Sequence, residues 1–216
     1  MSIASPMLSV RLALLLAPLL LPAAELVMRD LRLEVDSNPT AFSYQLKDET
    51  GSRSGSDSFD SAYGLGLGAR WSFAGPGRSH GLLADLVLVG TRRAYTGGGL
   101  TDYGVRIGGG YGWAVADQLT LTGMVEVGGG LATLALDGGG AFPAYNASGS
   151  WFGYGLRAGA VWYLTDRLFV DLSATWRTEH QQLGADNGQE LSLDVSGIGY
   201  ALGVGWRLST MPGRLE

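Results

Sequence analysis

"AYGLGLGAR", Ala62 to Arg70, supports two readings that lead to different folds. Gly64, Gly66 and Ala69 fall at the G-x-G-x-x-A spacing of a dinucleotide-binding turn. That turn needs a strand before it, a helix after it and an acidic residue about 20 residues further on. Residues 71–80, "WSFAGPGRSH", have no helical period and end in a Pro/Gly turn. The second reading is a strand, whose successive side chains point to opposite faces. Phe59, Tyr63, Leu65, Leu67, Ala69, Trp71 and Phe73 then share one face, and Asp60, Ala62, Gly64, Gly66, Gly68 and Arg70 the other. The strand prevails because the same two-faced pattern returns along the chain.

Tyr103, Val105, Ile107, Tyr111 and Trp113 alternate with Asp102, Gly104, Arg106, Gly108, Gly110 and Gly112. Phe152, Tyr154, Leu156 and Trp162 alternate with Gly153, Gly155, Arg157 and Gly159 in the same way, and Ile198 to Leu208 repeats it. Eight such segments are expected: 27–35, 59–73, 81–95, 102–114, 119–133, 151–164, 168–178 and 196–208. "AFSYQL" (41–46) either extends the first or forms a strand of its own. The connections at 74–79, 115–118 and 164–167 are short; those at 47–58, 95–102, 136–148 and 183–189 are mostly longer, polar and rich in glycine. Short turns at one end and longer loops at the other predict an all-β fold, an eight-stranded antiparallel up-and-down transmembrane β-barrel over residues 25–208.

Composition fits this reading. The 216 residues include 35 glycines and no cysteine, only 16% are charged, and the net charge is −5. Neither disulfides nor thiolate metal sites are available, and no basic run invites nucleic acid. No cofactor or metal is expected. At the N-terminus Arg11 precedes an apolar run, Leu12 to Leu21, and then the small-residue step Pro22-Ala23-Ala24. That layout predicts a secretory signal peptide over 1–24. Residues 209–216 are expected to be a short C-terminal extension.

Alternation alone does not say which face points inward. A secreted lipocalin-like barrel would turn the apolar face in around a ligand, and a membrane barrel would turn it out to lipid. Two features favour lipid. Trp71, Phe73, Trp113, Trp162 and Trp206 gather at the short-turn end of the apolar face, and Phe59, Tyr63, Tyr103, Phe152, Tyr154 and Trp176 at the other. Two aromatic girdles around an aliphatic band suit the periplasmic and extracellular interfaces of an outer membrane. The opposite face is mostly glycine, which packs nothing in a water-facing sheet but makes room inside a narrow barrel.

The charges on the glycine face then project into the lumen: Asp30, Arg32, Glu34, Asp60, Arg70, Asp85, Arg106, Glu126, Arg157, Asp171, Arg177 and Arg207. Isolated charges in a narrow, poorly hydrated space are costly unless paired. An internal salt-bridge network that plugs the pore is therefore expected.

With these residues in view, the chain resembles the small eight-stranded outer-membrane barrels of Gram-negative bacteria, the OmpA/OmpX-like superfamily, over residues 26–208. In this group the assembly machinery reads a last strand that "GVGWRL" matches with Gly203, Trp206 and Leu208. Ala201 stands where the family usually has a polar residue, and "STMPGRLE" comes after instead of a terminal aromatic. The resemblance implies a monomer in the cell outer membrane, with outer-membrane lipid and lipopolysaccharide as neighbours. It also implies a non-enzymatic role in envelope integrity or surface contact through the loops. One alternative is a small-solute or hydrophobic-compound channel resembling OmpW, for which Leu83, Val87 and Val89 would line an apolar lumen. Another is a lipid A-modifying enzyme, for which His180 beside Glu179, near Ser192 or Ser196, would supply base, acid and hydroxyl. His80 is expected to be a solvated turn residue.

Overall fold

The computed structural model describes residues 27–49, 51–73, 80–139, 142–185 and 188–208. The segments read as signal peptide and C-terminal extension lie outside these. The strands are β1 (Val27–Ser37), β2 (Ala41–Asp48), β3 (Gly51–Ser58), β4 (Ser61–Phe73) and β5 (His80–Tyr95), then β6 (Gly98–Ala116), β7 (Leu119–Gly139), β8 (Phe142–Tyr163), β9 (Leu168–Ala185) and β10 (Glu190–Arg207). Eight of them run β1-β4-β5-β6-β7-β8-β9-β10, and β1 pairs back onto β10 to close the ring. All pairings are antiparallel, so the fold is an all-β, eight-stranded antiparallel barrel.

The quoted stretch shows why glycine recurs. β4 lies beside β1 with Gly64, Gly66 and Gly68 opposite Asp36, Glu34 and Arg32. The long side chains of β1 lie over those glycines. A Cβ on Gly66 would sit 2.7 Å from Glu34 Cγ and 3.0 Å from Val87 Cγ1. Glycine on one strand makes space for a charged side chain on the next. Gly66→Val is expected to cost about 1–3 kcal/mol by overpacking, read as an earlier urea midpoint for loss of the compact, fast-migrating form on a gel.

The first hairpin departs from a simple strand pair. β1 breaks at Asn38-Pro39-Thr40, where proline cannot donate to a ladder, and the chain resumes as β2 along the same neighbour, β10. The 41–46 segment is thus a separate strand that continues the path of β1. β3, a loop on the sequence pattern, pairs with β2 and leads through Phe59-Asp60 into β4. That short break reverses the phase of both residues. Phe59 is turned inward and 4% exposed, with its ring 4.5 Å from Phe42, so it does not belong to the outer girdle. Asp60 is exposed rather than luminal, and its N–H donates to Ala94 O at 2.9 Å.

The long loops also resolve differently. The 95–102 segment is a tight turn at Thr96-Gly97, with Gly97 at φ 81°, where glycine avoids the Cβ penalty. Most of 136–148 is strand, and β9 runs on to Ala185 before β10 begins at Glu190, so β7, β8, β9 and β10 rise past the β5–β6 turn. Together with β2 and β3 they form an upper wall. Its inner face is an apolar core built around Leu134, Leu136, Leu183, Leu191, Leu193 and Val195, to which Phe42, Phe59 and Tyr95 contribute rings.

Candidate functional site

The lumen is the chemically richest part of the molecule. Arg29, Arg32, Arg70, Arg93, Arg106, Arg157, Arg177 and Arg207 face inward, as do Asp30, Glu34, Asp36, Asp85, Asp102, Glu126, Asp171 and Glu179, equal numbers of each sign. Arg207 is half-buried and the others are buried. Strand alternation delivers them there, and their order from the short-turn end upward forms a continuous ladder.

At the lower end Arg207 stacks its guanidinium 3.6 Å from the Tyr163 ring centroid, and Arg29 reaches the Tyr163 hydroxyl. Val161, Tyr163 and Phe169 make a small apolar cluster there. In the middle Arg32 grips Asp85 through both terminal nitrogens, at 2.8 and 2.7 Å, and donates Nε to Glu34 at 2.9 Å. Arg70 bridges Asp85 and Asp171 at 3.4 and 3.1 Å, and Arg157 reaches Glu34 at 3.1 Å and Glu126 at 3.6 Å. Higher still, Arg106 meets Asp36 at 3.1 Å, and Arg177 donates to Asn38 Oδ1 at 2.6 Å. Arg93, fully buried, joins Asp102 to Glu179 beneath the apolar core of the upper wall. The planar guanidinium suits this role because one side chain satisfies several acceptors at once.

Eleven of the twelve residues expected in the lumen stand there; Asp60 does not. Arg29, Asp36, Arg93, Asp102 and Glu179 also belong to the network, outside the expected set. Arg29 enters through a β-bulge: Met28 pairs with Trp71 and Asp30 with Arg70, so Arg29 is the extra residue. Its only mark in the sequence is a charge on the apolar phase. Asp36 lies one residue past the expected end of its strand, and Glu179 one residue past another. Both carry the correct phase.

The outer surface divides at one level. Along β10 the outward residues Trp206, Val204, Leu202, Tyr200 and Ile198 give way to Ser196, Asp194, Ser192 and Glu190, while the inward residues change from glycine to Val195, Leu193 and Leu191. β9 does the same between Trp176 and Thr178, and β8 between Phe152 and Ser150. The alternation keeps its phase while its polarity inverts. Below the inversion lies an apolar band rimmed by Trp113, Trp162 and Trp206 at one edge and Tyr63, Tyr103, Phe152, Tyr154 and Trp176 at the other, all well exposed. Trp71 and Phe73 also stand at the lower rim, partly covered. Trp206 and Leu208 project outward and Gly203 inward.

The groups expected for hydrolytic chemistry do not assemble. Glu179 points into the lumen and His180 to the outside, so the acid on His180 Nδ1 is Asp194, at 2.7 Å. Gln182 occupies the other ring nitrogen at 3.3 Å, where a nucleophile would have to stand. Of His80 only the backbone is described; it opens β5 and pairs with Trp113. Leu83, Val87 and Val89 do face inward, but Val87 and Val89 are packed into the apolar core and Leu83 is buried below it, so none lines an open bore.

One contact ties the upper wall together. β3 has a strand neighbour on one side only, and the Tyr95 hydroxyl donates to the Asp57 carboxylate across the open side. That bond, with the Ser58 N–H at 2.8 Å, holds the Asp57 carboxyl below its ordinary value of 3.8. A folded-state value below the unfolded one contributes stability that is complete above the ordinary value and disappears as pH falls through the lower one. Amide exchange in β3 is thus expected to keep its protection from neutral pH to about 4 and lose it in stronger acid. Asp57→Asn removes that pH dependence.

No protein-family model matches the chain, and no curated protein does. Among solved structures it is similar to Neisserial surface protein A, at 14% identity and TM-score 0.43 over 82% of this chain and 97% of that one. It is also similar to Ail, the attachment invasion locus protein of Yersinia pestis, at 15% identity and TM-score 0.41 over 84% and 100%. The outer membrane protease OmpT of Escherichia coli is similar at 9% identity and TM-score 0.39 over 85% and 98%.

Proposed function

We propose that the chain is an integral outer-membrane barrel, closed by its own side chains, that is not an enzyme and acts through the wall it raises above the membrane. The observation that carries this reading is the polarity inversion. A closed barrel satisfies every ladder hydrogen bond internally, as a strand structure in lipid must. In water, the band of exposed Leu, Val, Ile and aromatic side chains would be far larger than the apolar patches soluble monomers tolerate. In a bilayer the same band is solvated, its aromatic rims sit at the two interfaces, and the polar outer face begins where the headgroups begin. A lipocalin-like carrier needs the reverse arrangement.

On this reading outer-membrane lipid and lipopolysaccharide surround the barrel. The assembly machinery would read Gly203, Trp206 and Leu208, and the monomer contributes to envelope integrity or surface contact. Cell fractionation tests it. The protein is expected in the washed outer-membrane fraction, migrating faster on a gel unheated than boiled; a freely soluble periplasmic protein would overturn the reading.

The lumen network is the plug. Protein reconstituted into planar bilayers is expected to show no stepwise conductance, because charged pairs and two apolar clusters fill the bore from end to end. Arg106→Glu, which breaks the contacts to Asp36 and Glu179, should leave the bilayer silent if the network is structural. A voltage- or salt-dependent current appearing in that variant would assign it a gating role instead.

A further inference from the structure

The outer face just above the inversion is not the same all the way round. On β9, β10, β2 and β3 the ladder sets His180, Asp194, Ser43 and Ser56 side by side in one row, and Gln182 and Ser192 begin the next row up. Neighbouring strands are about 4.8 Å apart, and alternate residues along a strand lie about 6.7 Å apart. The result is a flat grid of hydroxyls, amides and one imidazole–carboxylate pair. Two adjoining shallow grooves, open to solvent, run over it, the larger with Trp176 at its base.

Three properties define what fits. Neither groove is lined by a lysine or arginine, and Asp194 and Asp57 both border the larger one or its rim, so an anionic headgroup meets repulsion there. Neutral hydroxyls, which donate and accept, match this lining. The imidazole holds Asp194 at 2.7 Å and Gln182 at 3.3 Å, so a ligand meets a carboxylate and an amide already set in place. Trp176, 45% exposed and packed edge-on against Tyr154 at 6.3 Å, offers an aromatic surface at the foot of the groove on which the apolar face of a sugar ring can stack. Position settles the source. The groove starts at the upper rim of the apolar band. Its His180/Asp194 and Gln182/Ser192 rows stand two and three steps higher, about 13–20 Å along the strands, beyond the acidic groups nearest the acyl chains.

We infer that this face binds neutral sugar residues in the headgroup of glycolipids of its own membrane, while their acyl chains pack on the apolar band beneath. The inference rests on the membrane reading above. Holding chain and sugar together makes the sugar contact effectively intramolecular, so weak hydrogen bonds suffice.

The test uses the full chain in lipid nanodiscs, with binding followed by native mass spectrometry. The probes are lipopolysaccharide carrying its complete core saccharide, the same glycolipid cut back to its lipid anchor and inner acidic sugars, and the free core oligosaccharide. The expected result is about tenfold preference for the complete glycolipid over the truncated one, lost in the Gln182→Ala/Asp194→Ala variant and kept in Thr133→Ala on the outer face of β7. Asp194→Asn, which preserves size, serves if the double variant does not fold. Equal affinity for the two glycolipids, or a preference that survives the groove variants, overturns the inference. Free oligosaccharide binding as tightly as the whole glycolipid overturns the assignment to the protein's own membrane. Failure to insert into nanodiscs at all overturns the membrane reading, and the inference falls with it.

Discussion

Arg32→Ala is expected to cost about 3–5 kcal/mol of folding stability, the range for stranding a buried charge by removing its partner. Arg32 makes the densest contacts in the lumen: two bonds to Asp85 and one to Glu34, all below 3.0 Å. Without it Asp85 keeps only Arg70 at 3.4 Å, and Glu34 keeps Arg157 at 3.1 Å. The measurement is the urea dependence of the heat-modifiable band in lipid vesicles. Arg32→Met combined with Asp85→Leu should regain a large part of the loss, because apolar groups of similar volume replace a buried pair at little cost. A loss below about 1 kcal/mol in the single variant would mean that water screens the network, as it does surface pairs.

The second large effect concerns the outer band. Leu67, 56% exposed, lies midway along β4 between the rim residues Tyr63 and Trp71. Leu67→Arg is expected to cost about 2–4 kcal/mol in a bilayer, the depth-dependent penalty for a cation near the midplane of a barrel's lipid face. Ser196→Arg, just above the inversion, should cost about 0–1 kcal/mol, as at the interface. Similar small costs at both positions would indicate that both face water.

The architecture is legible where the period stays clean. Between Ala62 and Arg70 small or charged residues alternate with apolar ones without interruption, and the same two-faced pattern through 102–114, 151–164 and 196–208 gives strand count, faces and most luminal charges. The failures have local causes. The bulge at Arg29 slips the phase of one residue, and the break at Phe59-Asp60 flips two. The upper wall escapes for a different reason. "ELSLDVS" (190–196) alternates as regularly as the band below, but with apolar residues on the opposite phase. That change of phase is why the expected strand begins only at Ser196. Outside the lipid a barrel wall must reverse its polarity, so that reversal is itself the signal. Which arginine holds which carboxylate is beyond the reach of sequence, because pairs such as Arg157 with Glu34 join strands far apart along the chain.

The chain has no cysteine, so a single introduced cysteine gives a unique attachment point. Placing one in turn at 190, 192, 194, 196, 198, 200, 202 and 204, on the outer face of β10, and attaching a nitroxide reads the environment residue by residue in lipid vesicles. The expected profile is high accessibility to a water-soluble paramagnetic complex from 190 to 196, then a change to oxygen-dominated relaxation from 198 onward. Uniform access of the aqueous reagent along all positions would contradict a membrane boundary between Ser196 and Ile198.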